Sequence, residues 1–136
     1  MDKIKLIYDI PGHSWYDEEV NAEDCESMYD LAVQCGYTDV HLTSSFTRLA
    51  NCITEYLMDR NWNYKTVYEK YCDRMLKVFK DDNVVTLITS KYDLYIGIAK
   101  GSKLLYDYVT EVSPIDNDDL ETRAHILVVD LIYGII

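Results

Sequence analysis

Hydrophobic and β-branched residues are densest between positions 83 and 112, and this stretch predicts the centre of the fold. Many positions here are β-branched or aromatic, which suits a pleated, half-buried surface, and they include Val84, Val85, Ile88, Tyr92, Tyr95, Ile96, Ile98, Tyr106, Tyr108 and Val109. Gly101 and Ser102 divide two such runs, and a Gly-led two-residue loop is a common hairpin turn. The pattern predicts an antiparallel β-meander with strands at 84–89, 92–99 and 103–112.

The segments before the meander are predicted to be helical, because their apolar residues recur every three or four positions. The first segment begins with Asn21 as a candidate N-cap and ends at Gly36. The second is the apolar stripe over 42–57, and the third is the stripe over 64–79, whose other face is charged. We therefore predict three helices in the first 80 residues, the last two forming a helical hairpin across the sheet.

The two ends of the chain complete the predicted fold. Residues 3–10 begin with alternating polarity and stop at Pro11-Gly12, which predicts a short strand that could add an edge to the meander. A polar-aromatic loop follows it, and 37–41 is predicted as a connection. Residues 124–136 fit either a helix or a strand, and we predict a terminal strand. The expected fold is a single α+β domain over 1–136, three helices packed on an antiparallel β-meander, with an all-α bundle as the alternative.

Charge is distributed unevenly along the chain. The net charge is −11, and residues 1–40 carry ten acids against two bases. Residues 113–136 carry five acids and one base, whereas 41–112 is close to neutral. A field of this sign repels nucleic acid and anionic membranes and attracts basic proteins. We therefore expect a basic protein partner, no direct binding of nucleic acid and no membrane contact, and we make no prediction of oligomeric state.

Dense groups of acids near the two ends are the candidate partner-binding residues. They are Asp17, Glu18, Glu19, Glu23, Asp24, Asp116, Asp118, Asp119 and Glu121. Carboxylates make charge-assisted pairs with arginine much as phosphates do, so these groups could imitate a nucleic acid. Trp15, Tyr16, Tyr29 and Tyr37 lie among or near them and are residue types that anchor interfaces. Solubility alone is the competing explanation for the acidity.

The candidate catalytic residues support one hypothesis. Asp9, Asp93, Asp107 and Asp130 lie in apolar, strand-like contexts, and carboxylates on adjacent strands could hold Mg²⁺ in a phosphodiesterase. The chain's own charge would repel such a substrate. The three histidines are far apart, there is no CxxC pair, and 97–102 does not match a phosphate-binding loop. We predict no catalytic residue, no metal and no cofactor.

Cysteine usage and hydropathy predict the compartment. The sequence has four cysteines, and its first twelve residues lack the apolar core of a cleavable signal. No apolar run approaches the ~18 residues of a membrane span. These features predict reduced thiols and a cytoplasmic location, which is the host cytosol if the protein is encoded by a virus or phage.

Two resemblances add to this interpretation. The segments CITEYL (52–57) and LKVFKDD (76–82) resemble the first helices of poxvirus intracellular immunomodulators with an apoptosis-regulator-like fold, and IGIAK (96–100) resembles their central helix. That resemblance implies a helical protein that binds a host signalling or apoptotic protein. The small, acidic, Tyr-rich profile is similar to that of phage-encoded anti-CRISPR and other anti-defence proteins. It implies a non-enzymatic inhibitor that occupies a basic nucleic-acid-binding surface, which is the predicted function. The immunomodulator and the metal phosphodiesterase are the alternatives.

Overall fold

The structure, a computed structural model, describes residues 3–12, 14–110 and 117–136, and for Lys3, Asn117 and Asp118 it describes the backbone only. The chain divides into two compact units, Met1–Ser44 (unit 1) and Ser45–Ile136 (unit 2). Both units combine antiparallel sheet with helix, so the α+β class is confirmed and the all-α alternative is wrong. The interpretation of 1–136 as a single domain stays a prediction.

Unit 1 is a three-stranded antiparallel sheet with one helix. Its elements are β1 (Lys3–Asp9), β2 (Trp15–Asn21), α1 (Cys25–Gln34) and β3 (Thr38–Thr43). The strand order is β2-β1-β3, so β1 is central and β2 lies at an edge. Strand alternation sends Ile4, Leu6 and Tyr8 of β1 into the core, where α1 packs. The other face of this sheet carries the intervening residues of each strand.

Four expectations for unit 1 are corrected. The predicted strand at 3–10 is present, but it is the centre of its own sheet and does not form an edge of the later meander. The polar-aromatic segment after Pro11 contains strand β2, and the connection after Tyr37 contains strand β3. Asn21 is the last residue of β2 and not an N-cap; Asp24 holds the cap position of α1 without a side-chain capping bond. The sequence pattern does not reveal β2, because acidic residues lie on both faces of this edge strand and remove the alternation of apolar and polar residues.

Unit 2 is a five-stranded antiparallel meander covered on one face by helices. Its elements are α2 (Ser45–Met58), β4 (Asn63–Lys70), β5 (Asp73–Lys80), β6 (Asn83–Thr89), β7 (Leu94–Lys100), β8 (Lys103–Thr110), α3 (Asn117–Ile126), a π-helical segment (Leu127–Ile132) and α4 (Tyr133–Ile135). The strands follow one another in sequence order. The core lies between α2, the C-terminal helical segments and one sheet face, and includes Phe46, Ile53, Leu87 and Ile96.

The predicted meander and the helix over 42–57 are confirmed, with β6, β7, β8 and α2 close to their expected positions, while positions 111 and 112 of the third predicted strand lie outside the described residues. The helix predicted over 64–79 is wrong, because this stretch forms the hairpin β4–β5. Its turn contains Tyr71 in the left-handed backbone region, with φ of 56°. Both faces of β5 are apolar, with Leu76 and Val78 towards the core and Met75 and Phe79 away from it. That double-sided pattern concealed the two-residue period of a strand.

The predicted terminal strand is also wrong, because 117–135 is helical. Leu120, Ala124, Val128 and Ile132 recur at every fourth position, and all four are buried in the core of unit 2. Packing of this stripe against α2 outweighs the strand propensity of the Ile and Val residues. The expected three helices in the first 80 residues are therefore two, and the helical cover of the sheet is completed from the C-terminal end.

Candidate functional site

The face of the unit 1 sheet that points away from α1 is acidic. Trp15, Asp17 and Glu19 alternate with the inward-facing residues of β2, and they pair in register with Asp9, Ile7 and Lys5 of β1. Asp39, just inside β3, meets Asp9 through its side chain. We call Asp9, Trp15, Asp17, Glu19 and Asp39 the acidic face. It presents four carboxyl groups beside one tryptophan whose exposed fraction is 63%.

Lys5 and His41 are basic groups that the structure describes beside these carboxyls. Lys5 Nζ lies 3.6 Å from Asp17 Oδ2, an exposed ion pair of the kind that contributes about 0–1 kcal/mol. The ring of His41 bonds through Nδ1 to the backbone carbonyl oxygen of Asp39, at 2.9 Å. Asp17 is therefore paired with a base, contrary to the expectation that the whole group lacks local bases. Among the described side chains of this face, four carboxyls stand against one lysine, so the face keeps a negative potential.

Asp9 and Asp39 form a carboxyl–carboxyl contact at one end of the acidic face. The hydrogen bond between the two side chains raises the pKa of Asp9 above its ordinary value of 3.8, and partial desolvation and the charge of Asp39 act in the same direction. His41 opposes this rise. Asp39 also has a φ of 50°, a conformation that Asp and Asn tolerate better than most residues. Two like charges held together in this way would be relieved by an incoming cation.

Aromatic rings support the sheet from its other side. Tyr8 is buried and stacks on Tyr37 at a centroid distance of 4.6 Å with nearly parallel planes, and the Tyr16 ring lies 5.6 Å away. Burial raises the pKa of Tyr8, and the nearby Glu18 carboxylate adds to the rise. Stacked rings of this kind contribute about 0.5–1.5 kcal/mol beyond their buried area. They hold β1, β2 and the start of β3 together beneath the acidic face.

The acids predicted near the N-terminal end fall in three places. Asp17 and Glu19 lie on the acidic face. Glu18 points to the opposite side of β2 with the residues near Tyr8, because it pairs in register with the buried Leu6. Glu23 and Asp24 are exposed in the turn before α1. Only part of the predicted group therefore shares one surface, and the sequence missed Asp9 and Asp39 as its neighbours.

The acids predicted near the C-terminal end belong to unit 2. Asp119 and Glu121 are exposed on α3, whereas Asp116 lies outside the described residues. Asp118 lies in α3, and its side chain is not among those described. The two predicted groups are thus carried by different units, and each is a separate candidate surface.

The four aspartates considered for a metal site belong to four different segments of the chain. Asp9 belongs to unit 1, and Asp93 lies in the turn before β7, where its Oδ1 accepts a hydrogen bond from Ser90 Oγ at 2.9 Å. Asp107 accepts a bond from the Tyr95 hydroxyl at 3.3 Å, and Asp130 is exposed on the π-helical segment. Across the described part of the chain, no group of three or more His, Cys, Asp or Glu residues is arranged to hold a metal ion.

A pocket that the sequence did not indicate lies between α2 and the hairpin β4–β5. It has a volume of about 310 Å³ and is lined by Asn51, Thr54, Glu55, Met58, Tyr64, Arg74 and Leu76. Arg74 donates through Nη1 to Asn51 Oδ1 at 2.7 Å, and its Nε is buried without a hydrogen-bond partner. The sequence could not predict this pocket, because the pocket depends on the β4–β5 hairpin and residues 64–79 were predicted to form a helix.

A second pocket, of about 250 Å³, lies between α2 and α3. Arg48, Asn51, Cys52, Leu120 and Glu121 line it. Burial raises the pKa of the Cys52 thiol, so this cysteine is less ionised and less nucleophilic than an exposed one. The pocket therefore gives no sign of an activated nucleophile. One of the predicted partner-binding residues, Glu121, lines it.

Among the described residues, no helix combines the length and the apolar character that crossing a bilayer requires. All four cysteines have free thiols.

Comparison of the chain with protein-family models, curated proteins and solved structures finds no match.

Proposed function

We propose that the protein is a non-enzymatic, acidic protein-binding module. In this proposal its acidic face occupies a basic, nucleic-acid-binding surface of a partner protein in the cytoplasm, as an inhibitor encoded by a phage or virus would. The observation that carries the proposal is the clustering of Asp9, Asp17, Glu19 and Asp39 around an exposed Trp15 on one open sheet face.

The distribution of charge between the units supports this choice of surface. Unit 1 has ten acids and two bases in its 44 residues, a net charge of −8, whereas unit 2 has a net charge of −3. Most of the attraction for a basic partner therefore originates in the smaller unit. Such a field accelerates association with basic surfaces at low ionic strength and is screened over ~8 Å at physiological salt.

The geometry of an extended strand suits the imitation of a phosphate backbone. Asp17 and Glu19 are two positions apart on β2, so their side chains repeat at about 6.8 Å, twice the ~3.4 Å axial spacing of phosphates in one DNA strand. Carboxylates accept bidentate hydrogen bonds from arginine, as phosphates do. Trp15 at the end of this row supplies the kind of large apolar anchor that dominates many interfaces.

Neither alternative function gains a supporting observation. Two of the three segments that resemble the poxvirus proteins, 76–82 and 96–100, fall largely in strands β5 and β7 where helices are required. The aspartates considered for the phosphodiesterase do not converge among the described residues. We therefore propose only the protein-binding function.

A competition experiment tests the proposal with a defined probe. An arginine-rich peptide is bound to a short, fluorescently labelled DNA duplex, and release of the DNA is followed by the fall in its anisotropy as the protein is added. The face variant carries Asp17→Asn, Glu19→Gln and Asp39→Asn, and asparagine at position 39 keeps the tolerance for positive φ. We expect displacement to weaken by about tenfold or more, because three charge pairs are lost.

A charge-matched control separates the face from net charge. The variant Asp73→Asn, Asp81→Asn, Asp82→Asn removes the same three charges from exposed positions of unit 2. Its displacement should change less than about threefold, since exposed charges that do not pair directly with the peptide act through a field that salt largely screens. Equal weakening in both variants, with unchanged melting temperatures, would show that acidity acts only through net charge and would refute the proposed site.

A further inference from the structure

The sheet of unit 2 has a second face, opposite to the face on which α2 and α3 pack. We call it the open face, because no described element of unit 2 covers it. The strand register arranges its residues in three rows that run from β4 to β8. They are Asn63, Phe79, Val84, Ala99 and Leu104; Lys65, Lys77, Thr86, Gly97 and Asp107; and Tyr68, Met75, Ile88, Tyr95 and Val109. Apolar rows thus flank one polar row.

Exposure along these rows shows an apolar surface that reaches solvent. The side chains of Met75, Phe79, Val84 and Ile88 on the inner strands are half-buried, since they shield one another. Positions on the edge strands are more open, with exposed fractions of 51% for Tyr68, 54% for Leu104 and 45% for Val109. The two apolar rows, with the polar row between them, expose apolar area of the kind that marks interaction sites on folded proteins.

The charges of the middle row have opposite signs at its two ends. Lys65 lies on the edge strand β4 and Asp107 on the edge strand β8, with Lys77, Thr86 and Gly97 between them. When a second copy of such a row is rotated by 180°, its negative end lies opposite the positive end of the first row. With Lys77 the row carries two positive charges and one negative charge, and its one carboxylate, Asp107, also accepts a hydrogen bond from Tyr95 on the same face.

We propose that the open face binds a second copy of this chain, sheet on sheet, about a two-fold axis that runs along β6. In this arrangement β4 of one copy lies over β8 of the other, and β5 lies over β7. Lys65 then faces Asp107 of the second copy, and symmetry repeats the pair at the opposite edge. Aligned sheets cross at about 30°, and the long lysine side chain spans the resulting offset.

The same rotation pairs unequal side chains in the row that contains Phe79, whereas in the other apolar row Met75 faces Tyr95 of the second copy. Phe79 faces the small Ala99 of the second copy, so a large side chain meets a small one. Val84 and Ile88, on the central strand, each face their own symmetry mates. Interdigitation of unequal side chains fills the ~10 Å between packed sheets better than equal ones would.

The size of the open face sets the strength of this dimer. The sheet has five strands about 4.8 Å apart, and each strand is about seven residues long with a rise of about 3.3 Å per residue. The open face therefore covers roughly 550 Å² in each copy, and a dimer would bury roughly 1,100 Å² in total. That exceeds the ~1,000 Å² expected of a specific interface but falls below the ~1,600 Å² of a standard one. The dimer is therefore weak and depends on concentration.

Two charge reversals test the proposed pairing. Lys65→Asp and Asp107→Lys each place like charges at both ends of the polar row, so each purified variant should dimerise at least about tenfold more weakly than the native chain. Mixed together, the two variants restore both opposite-charge pairs and should form a heterodimer with near-native affinity. Sedimentation velocity from low to high micromolar concentration, with one variant carrying a fluorescent label, measures all three associations.

A control reversal excludes an effect of net charge. Lys100→Asp changes the charge as Lys65→Asp does, at an exposed position at the end of β7 that does not belong to the three rows. It should dimerise like the native chain. The proposal is overturned if the native chain stays monomeric at high micromolar concentration, if either reversed variant dimerises as well as the native chain, or if mixing the two restores nothing. Restoration in the mixture cannot arise from misfolding, because a misfolded variant would not regain a specific partner.

Discussion

The hydrogen bond between Trp62 and Tyr133 ties the C-terminal helical segments to the start of the sheet, and its removal tests the corrected fold. Trp62 is buried, and its Nε1 donates to the Tyr133 hydroxyl at 2.9 Å. The Arg60 guanidinium lies 5.5 Å from the centre of the Tyr133 ring. Tyr133→Phe removes the hydroxyl and keeps the ring, so the variant isolates the hydrogen bond from the cation–π contact.

The expected cost follows from the burial of the two partners. Leaving a buried donor unpaired costs about 1–3 kcal/mol. Because Tyr133 is 40% exposed, water can reach part of the vacated space, and we expect the lower end of that range, about 1 kcal/mol. For a cooperative unit of the 92 residues in unit 2, that corresponds to a fall in melting temperature of roughly 4–8 °C.

Urea denaturation followed by tryptophan fluorescence and circular dichroism measures this change. Tyr92→Phe is the matched control, since Tyr92 is 59% exposed in the turn before β7 and its loss should leave stability within about 0.5 kcal/mol of native. If Tyr133→Phe is as stable as this control, Trp62 and Tyr133 are not paired. The packing of the C-terminal helices beside residue 62 would then be refuted.

Three further outcomes follow from particular residues. Gly101→Ala should cost about 1 kcal/mol in urea denaturation, because φ is 61° there while the added methyl group meets no atom. Asp39→Asn should lower the pKa of Asp9 in a carbon-detected NMR titration, since an amide donates to the charged carboxylate. The native pair favours the protonated form of Asp9, so its contribution to stability is present below pH 3.8 and is lost as pH rises through the folded-state pKa. A thiol reagent should label the exposed Cys35 first and Cys72 only on unfolding.

The sequence predicts those elements whose pattern has one dominant period. Strands β6 to β8 combine high strand propensity with the Gly101 turn, and α2 has a single apolar stripe that packs on the core. Strands β4 and β5 were predicted as a helix, because their aromatic residues also fit a helical spacing. The turn at Tyr71 that separates them has no Gly, Asn or Asp, so it carries no sequence signal.

The candidate site was predictable only in part. Charge density alone indicated Asp17 and Glu19, and alternation along a strand would have separated them from Glu18 if β2 had been recognised. Asp9 and Asp39 are thirty positions apart, and only the pairing of β1 with β3 brings their carboxyls together. Non-local strand pairing of this kind is set by tertiary packing, which no local pattern encodes.

Mapping by NMR tests the proposed binding surface most directly. The ¹⁵N-labelled protein is titrated with the arginine-rich peptide, and shifts of the backbone amides are followed together with the indole N–H of Trp15. Binding at the acidic face predicts saturable shifts that are confined to β1, β2 and β3 and are largest around Trp15, Asp17 and Asp39. Shifts spread over both units, or centred on α3 and its acids Asp119 and Glu121, would contradict the proposed site.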